Sequence, residues 1–356
     1  MLKTPMKLRY LTGFMLSVLL LGISLNPSIP QSPQVIAAPT QISAAQNRYR
    51  LAAQYSEAHS GRAMVVMRSG QVVFESYNGV RPERALPLAS GTKSFSCAIA
   101  LLGVQDGLLS LDEPVANTII GWKLHPQKSK ITIRQLLNLT SGIQGGDSGD
   151  IPTYADAIRK PLTAEPGERF QYGPNPFQIF GEVMRRKLAA RGMAGSPLEY
   201  LDARILRPIG LKYDRWSKGL DGHPRLSSGA VISAREWAKY GVLLLNRGQW
   251  QGQSLLRSDL LNQCFQGTAV NSAYGMTFWL NRAGLNHDGL PMPAIPTASD
   301  STVMAIGTGN QLMIVLPEHN LVVVRMGRLV EETSPDSQTD GFDRATFLNL
   351  LLTGAP

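Results

Sequence analysis

Apolar positions in this chain fall into alternating, helical and continuous patterns, and each predicts a different element. Runs at Ala63-Met-Val-Val-Met67 and Gln71-Val-Val-Phe-Glu-Ser-Tyr77 flank Arg68-Ser-Gly70, the signature of a β-hairpin. A second pair, Gln311–Leu316 and Leu321–Met326, is joined by a Pro-Glu-His-Asn turn. Helical periodicity predicts helices from Phe177 to Ala190, from Ser233 to Asn246 and over roughly Phe342 to Leu352. Ser233 reads as an N-cap with Glu236 completing a capping box, and Arg247-Gly248 as the stop. Ile131 to Leu139 predicts a short strand or turn entering a helix, stopped at Ser141-Gly142. Strands at both ends with helices between them predict an α/β (α+β) fold. Its antiparallel sheet is completed by N- and C-terminal strands, flanked by helices, and encloses a helical subdomain at roughly 105–230.

The continuous run, Tyr10 to Leu25, follows Lys3, Lys7 and Arg9 and leads through a Pro/Gln/Ser stretch to Val35-Ile-Ala-Ala38. Basic start, apolar stretch and small residues form a secretory signal pattern, read as residues 1–37 with cleavage near Ala37. About 16 apolar residues are short for a membrane span, so stable insertion after cleavage is not expected and an uncleaved anchor is the lesser alternative. The expected location is secreted or periplasmic. Residues 38–47 read as a linker and 48–356 as the folded domain.

Removing the signal lowers the net charge from +9 to +6. The remainder has no basic run and no aromatic-basic interleaving, so no nucleic-acid partner is expected. Cys97 sits in an apolar helix far from Cys264, which favours a buried free thiol, although export permits a disulfide.

The chemistry is concentrated in Leu86-Pro-Leu-Ala-Ser-Gly-Thr-Lys-Ser-Phe-Ser-Cys97. Ser90 and Lys93 stand three apart where a loop becomes an apolar helix, so the amine can lie over the hydroxyl. A serine needs a base to become a nucleophile, and desolvation can keep a lysine neutral enough to be one. Alone, the four-residue pattern reads first as a serine N-cap with an exposed lysine.

Further motifs accompany it in order. They are Gly107-Leu-Leu-Ser-Leu-Asp-Glu-Pro-Val115, Leu136-Leu-Asn-Leu-Thr-Ser-Gly142 and the segment Ser228-Gly-Ala-Val-Ile-Ser-Ala-Arg-Glu-Trp237. Over roughly residues 48 to 330 the chain resembles the serine β-lactamase-related superfamily: class C β-lactamases, D-alanyl-D-alanine carboxypeptidases, esterases and aminohexanoate-oligomer hydrolases. The resemblance implies a β-lactamase/transpeptidase-like fold, no cofactor or metal, and an acyl-enzyme on Ser90.

The family's Tyr-x-Asn element is matched by Phe170-Gln-Tyr-Gly-Pro-Asn-Pro-Phe177. Tyr172 keeps register as a proton-transfer partner of Ser90 and Lys93, or is a half-buried core tyrosine. Pro174 occupies the asparagine's slot, and Asn175, one residue late, is either a substrate contact or a turn residue. The third element is usually Lys-Thr-Gly or His-x-Gly. Gly307-Thr308-Gly309-Asn310 stands in its place, similar to the aminohexanoate-hydrolase branch, with no basic residue ahead of Thr308. It reads as an oxyanion-binding, substrate-facing strand or as a glycine-rich bend.

Other candidates are weaker. Gly146-Asp-Ser-Gly149 lies in a Gly/Asp-rich loop, and the five histidines lack ligand spacing. Trp216 and Trp279 serve as pocket lining or as core, and loops 143–165 and 283–303 are the expected pocket walls. The expected function is an exported serine hydrolase cleaving a small-molecule ester, amide or peptide. The rivals are a β-lactamase or D-Ala-D-Ala carboxypeptidase, and a non-catalytic protein of penicillin-binding fold.

Overall fold

In the computed structural model the described residues are 43–147, 149–193, 195–329 and 341–356. The stretch read as a secretory signal, residues 1–37, and residues 38–42 of the expected linker lie outside them. Helix α1 (Ala44–Ala58) begins within the stretch read as linker, capped by Ser43, whose side chain accepts from the Gln46 N–H. Its buried residues Tyr49, Ala52, Ala53 and Ser56 recur at helical spacing and face strand β1 (Gly61–Arg68). Strand β2 (Gln71–Tyr77) returns through Ser69 and Gly70, both at positive φ as a tight two-residue hairpin demands.

The chain then makes a two-residue strand, β3 (Leu86–Pro87), a 3₁₀ turn over Ala89–Lys93 and helix α2 (Ser94–Gln105), which is buried on nearly all sides. The helical region follows with α3 (Ile133–Leu137), α4 (Tyr154–Arg159), α5 (Asn175–Ala190) and α6 (Pro197–Leu201). Thr132, bridged to Pro114, and Gln135 close α3 with a reciprocal capping box, so the segment enters a helix as its sequence predicts. Strands β4 (Tyr213–Trp216) and β5 (Ala230–Ile232) join β3 in a small sheet of order β3-β5-β4.

Helix α7 (Ala234–Leu245) has the expected Ser233 cap, but only half of the capping box. Glu236 is drawn away: its carboxylate accepts from the Lys212 N–H at 2.7 Å and pairs with Lys239 at 2.8 Å. After a small hairpin, β6 (Gln249–Trp250) and β7 (Gln253–Ser254), comes α8 (Ser258–Cys264). Strand β8 (Trp279–Leu280) precedes another small hairpin, β9 (Gly284–Leu285) and β10 (Pro291–Met292). The chain finishes with β11 (Val303–Gly307), β12 (Gln311–Leu316), β13 (Leu321–Gly327) and α9 (Arg344–Leu352).

The main sheet runs β2-β1-β13-β12-β11-β8, antiparallel throughout, so the N-terminal hairpin is sewn to the last strand, with Val65 opposite Val324. β13 is buried at every position, because α7 packs against β1, β12 and β13 while α1 and α9 pack together. The architecture is the antiparallel sheet with helices that the sequence predicts.

One expectation is reversed. Cys97 and Cys264 form a disulfide, with Cα atoms 6.4 Å apart, that ties α2 to α8. The thiols are distant in sequence, and only the docking of α8 against α2 brings them together. Among the described residues no helix is long and apolar enough to cross a membrane.

Candidate active site

Ser90 stands where the small sheet hands the chain to α2. β3 pairs with β5, and Leu88 N–H extends the ladder by donating to Ala230 O at 2.9 Å. Ala89 then takes φ 46°, a left-handed conformation uncommon for a residue with a Cβ, and the chain turns sharply at Ser90. The turn is held from three sides. Gly91 N–H donates to Leu88 O at 2.9 Å, and the Thr92 hydroxyl accepts from Ala230 N–H at 3.2 Å. A Cβ on Gly91 would lie 2.8 Å from the Trp237 ring, and one on Gly307 would lie 2.0 Å from Leu88 O. The end of β11 therefore meets the serine turn backbone to backbone.

Lys93 is 2% exposed, and its Nζ donates to Ser90 Oγ at 2.9 Å and to Ser227 O at 3.2 Å. The amine sits 4.8 Å from the centre of the Tyr172 ring and 5.5 Å from that of Phe177. Burial pushes its pKa down to about 7. A large share of molecules at neutral pH therefore holds a free amine beside the hydroxyl, as a serine nucleophile needs.

Tyr172 is half-buried within an aromatic wall. It stacks on Trp279 at 5.6 Å and meets Tyr274 and His287 edge-on at 6.1 and 6.3 Å. Burial pushes its phenol up to about 12, against the opposing influence of the Ser90 hydroxyl and the Trp279 side chain. The Tyr172 phenol therefore keeps its proton at neutral pH. The residue's backbone is fixed by two glycines: a Cβ on Gly145 would lie 2.2 Å from Tyr172 O, and one on Gly173 would lie 2.1 Å from Gly145 O.

Ser90, Lys93, Tyr172 and Gly307 thus converge. The other candidates take different places. Asn175 is fully buried at the start of α5, where its Nδ2 donates to Gln144 O at 2.7 Å and its N–H to Gly145 O at 3.0 Å. There, behind Tyr172, it fastens the 144–146 loop to the first turn of the helix. β11 ends at Gly307, Thr308 is exposed beyond it, and Gly309 and Asn310 turn at φ 76° and 53° into β12. The carbonyls of Gly309 and Asn310 point away to the buried Arg325, whose Nη1 donates to them at 3.4 and 2.8 Å.

Trp216 is core, against Phe95 at 5.5 Å, whereas Trp279 backs Tyr172. Loop 283–303 reaches the site through His287. Sequence reading passed over the Ser227 carbonyl, Gly145, Gly173 and His287. Only the clustered glycines around Tyr172 carried a signal, since backbone carbonyls leave none.

A family model, beta-lactamase, matches residues 49–345. An uncharacterized protein of Alkalihalophilus pseudofirmus is 23% identical over 291 residues, 75% of this chain and 83% of that protein. A Bacillus anthracis protein assigned as a 6-aminohexanoate-dimer hydrolase superposes with a TM-score of 0.64 at 20% identity, covering 77% of this chain and 75% of its own. One from Bacteroides dorei, assigned as a beta-lactamase, reaches 0.67 at 17% identity, covering 85% and 96%. At such identities the two structures speak for the fold alone, and the family rests on the model that spans most of the sequence. By that match the chain belongs to the beta-lactamase family, whose fold is that of serine hydrolases.

Proposed function

We propose that the protein is an exported serine hydrolase that cleaves an ester or small amide through an acyl-enzyme on Ser90. The observation that carries this reading is the 2.9 Å contact between Lys93 Nζ and Ser90 Oγ, made by an amine that burial shifts to about 7. Ser90 Oγ attacks the substrate carbonyl carbon while its proton passes to the free amine of Lys93. The carbonyl oxygen becomes an anion, received by the main-chain N–H groups of Ser90 and Thr308, the latter placed by the Gly307 contact with the serine turn. Tyr172 then delivers a proton from the Lys93 ammonium to the leaving alcohol or amine. Water attacks the ester carbonyl of the acyl-enzyme, and the same groups return the proton to Ser90 Oγ.

The choice of ester or small amide follows from what stands ahead of Thr308. Ile306 and Gly307 offer no cation for a substrate carboxylate of the kind β-lactams and D-Ala-D-Ala peptides carry.

The test is intact mass after incubation with a fluorophosphonate, beside a Ser90→Ala control. One adduct, lost in the control, is expected and would be followed by short-chain esters, small amides and nitrocefin. Rapid nitrocefin turnover would transfer the reading to a β-lactamase. Absence of any adduct on folded protein would transfer it to a binding protein.

A further inference from the structure

A concave site has a lining that includes none of Ser90, Lys93, Tyr172 and Thr308. It is a cleft of about 1280 Å³ between the β1–β13 end of the main sheet and the small sheet β3-β5-β4, roofed by loop 79–87. Its volume exceeds the roughly 300–1,000 Å³ of ordinary small-molecule pockets, so it suits an extended ligand.

Its charge is one-sided. The lining holds three carboxylates: Asp214 pairs with Arg215 at 2.9 Å, Glu236 with Lys239 at 2.8 Å, and Glu83 stands 4.0 Å from Arg235, whose guanidinium is held by Glu75. That leaves Arg62, Arg81, Arg84, Lys212 and Arg328, none within 4.0 Å of a carboxylate among the described residues. Surfaces ordinarily intersperse the two signs. Five like charges around one hollow repel each other and focus a positive potential into it. Four of the five are arginines, whose planar forks grip phosphate and carboxylate oxygens two at a time, as a lysine does not.

We propose that this cleft is a binding site for a multivalent oxyanion, its charges carried by phosphoryl or carboxylate groups. The site is independent of the reaction at Ser90 and is read by binding, not by turnover. It does share a wall with that reaction. Leu86, Pro87 and Val231, which line the cleft, belong to the two strands beside which Ser90 and Ser227 hold the nucleophile and the Lys93 amine.

The experiment is calorimetric titration of the whole protein with inorganic tripolyphosphate and, separately, with tricarballylate, at about 50 and about 300 mM salt. Expected is saturable one-to-one binding of one or both anions, weaker at the higher salt. The tighter of the two names the group: phosphoryl for tripolyphosphate, carboxylate for tricarballylate. The pairs Arg81→Gln/Arg84→Gln and Arg62→Gln/Arg328→Gln should each weaken it about tenfold or more. The pair Lys130→Gln/Arg247→Gln, exposed cations outside the cleft, should change it less than about twofold. All three pairs should keep the wild-type circular dichroism. No saturable binding of either anion, or equal weakening in the outside pair, would overturn the proposal.

Discussion

The carbonyl oxygen of Leu88 lies where a side chain on Gly307 would begin: a Cβ there would sit 2.0 Å from it. Strand β11 and the serine turn are therefore registered against each other by two main chains with nothing between them.

Gly307→Ala must force those chains apart. Overpacking of this kind costs about 1–3 kcal/mol, and the displaced N–H of Thr308 leaves the developing oxyanion less supported. We expect a lower melting temperature together with a fall in turnover of at least about tenfold. Fluorophosphonate labelling at a temperature where the variant is folded separates the two effects. Normal labelling there would remove β11 from the reaction.

Lys93 sets opposing demands on stability and activity. Its pKa is about 7 in the folded protein and near the ordinary lysine value when unfolded. Between those values the unfolded chain binds more protons, so this group makes stability rise with pH from about 7 upward and imposes its full penalty below 7. Lys93→Met should thus be inactive, yet melt higher than wild type at pH 6, with the advantage shrinking toward pH 10. In the wild type, turnover should climb through about pH 7 as the amine loses its proton. A pH-independent rate between 5 and 9, measured with a neutral ester, would disqualify Lys93 as the base.

Tyr172→Phe removes the phenol but keeps the ring against Trp279. Proton delivery typically contributes about 10²–10⁴-fold. The loss should be large for amides, whose leaving nitrogen must be protonated, and small for nitrophenyl esters, whose leaving group departs as an anion. Equal losses on both would mean that the phenol acts in the attack of Ser90 and not on the leaving group.

The Cys97–Cys264 disulfide spans 167 residues. A loop of that length predicts that Cys97→Ala/Cys264→Ala loses about 2–5 kcal/mol in urea unfolding. Because the bond anchors α2 a turn beyond Lys93, labelling of Ser90 in the reduced protein should slow in step with the loss of fold.

Much of this could be read from the chain beforehand, for identifiable reasons. The hairpins around β1–β2 and β12–β13 and the helices α5 and α7 declare themselves through periodicity, and Ser90, Lys93 and Tyr172 through motif spacing. What escaped reading depended on contacts between distant segments. The cysteine pairing needed the docking of α8 on α2, and Asn175 could not be assigned without the 144–146 loop it holds. Glu236 answered to Lys212 and Lys239 rather than to its own helix cap. The Ser227 carbonyl that fixes Lys93 is an atom every residue possesses.

The pairing of β1 with β13 has a bearing on biogenesis. Residue 61 finds its neighbour at residue 327, so the middle of the sheet has no partner until nearly the whole chain has emerged. Folding dominated by such long-range pairing is slow. Until β13 arrives β1 has only β2 to pair with, so closing the main sheet is a late event in the life of each new chain.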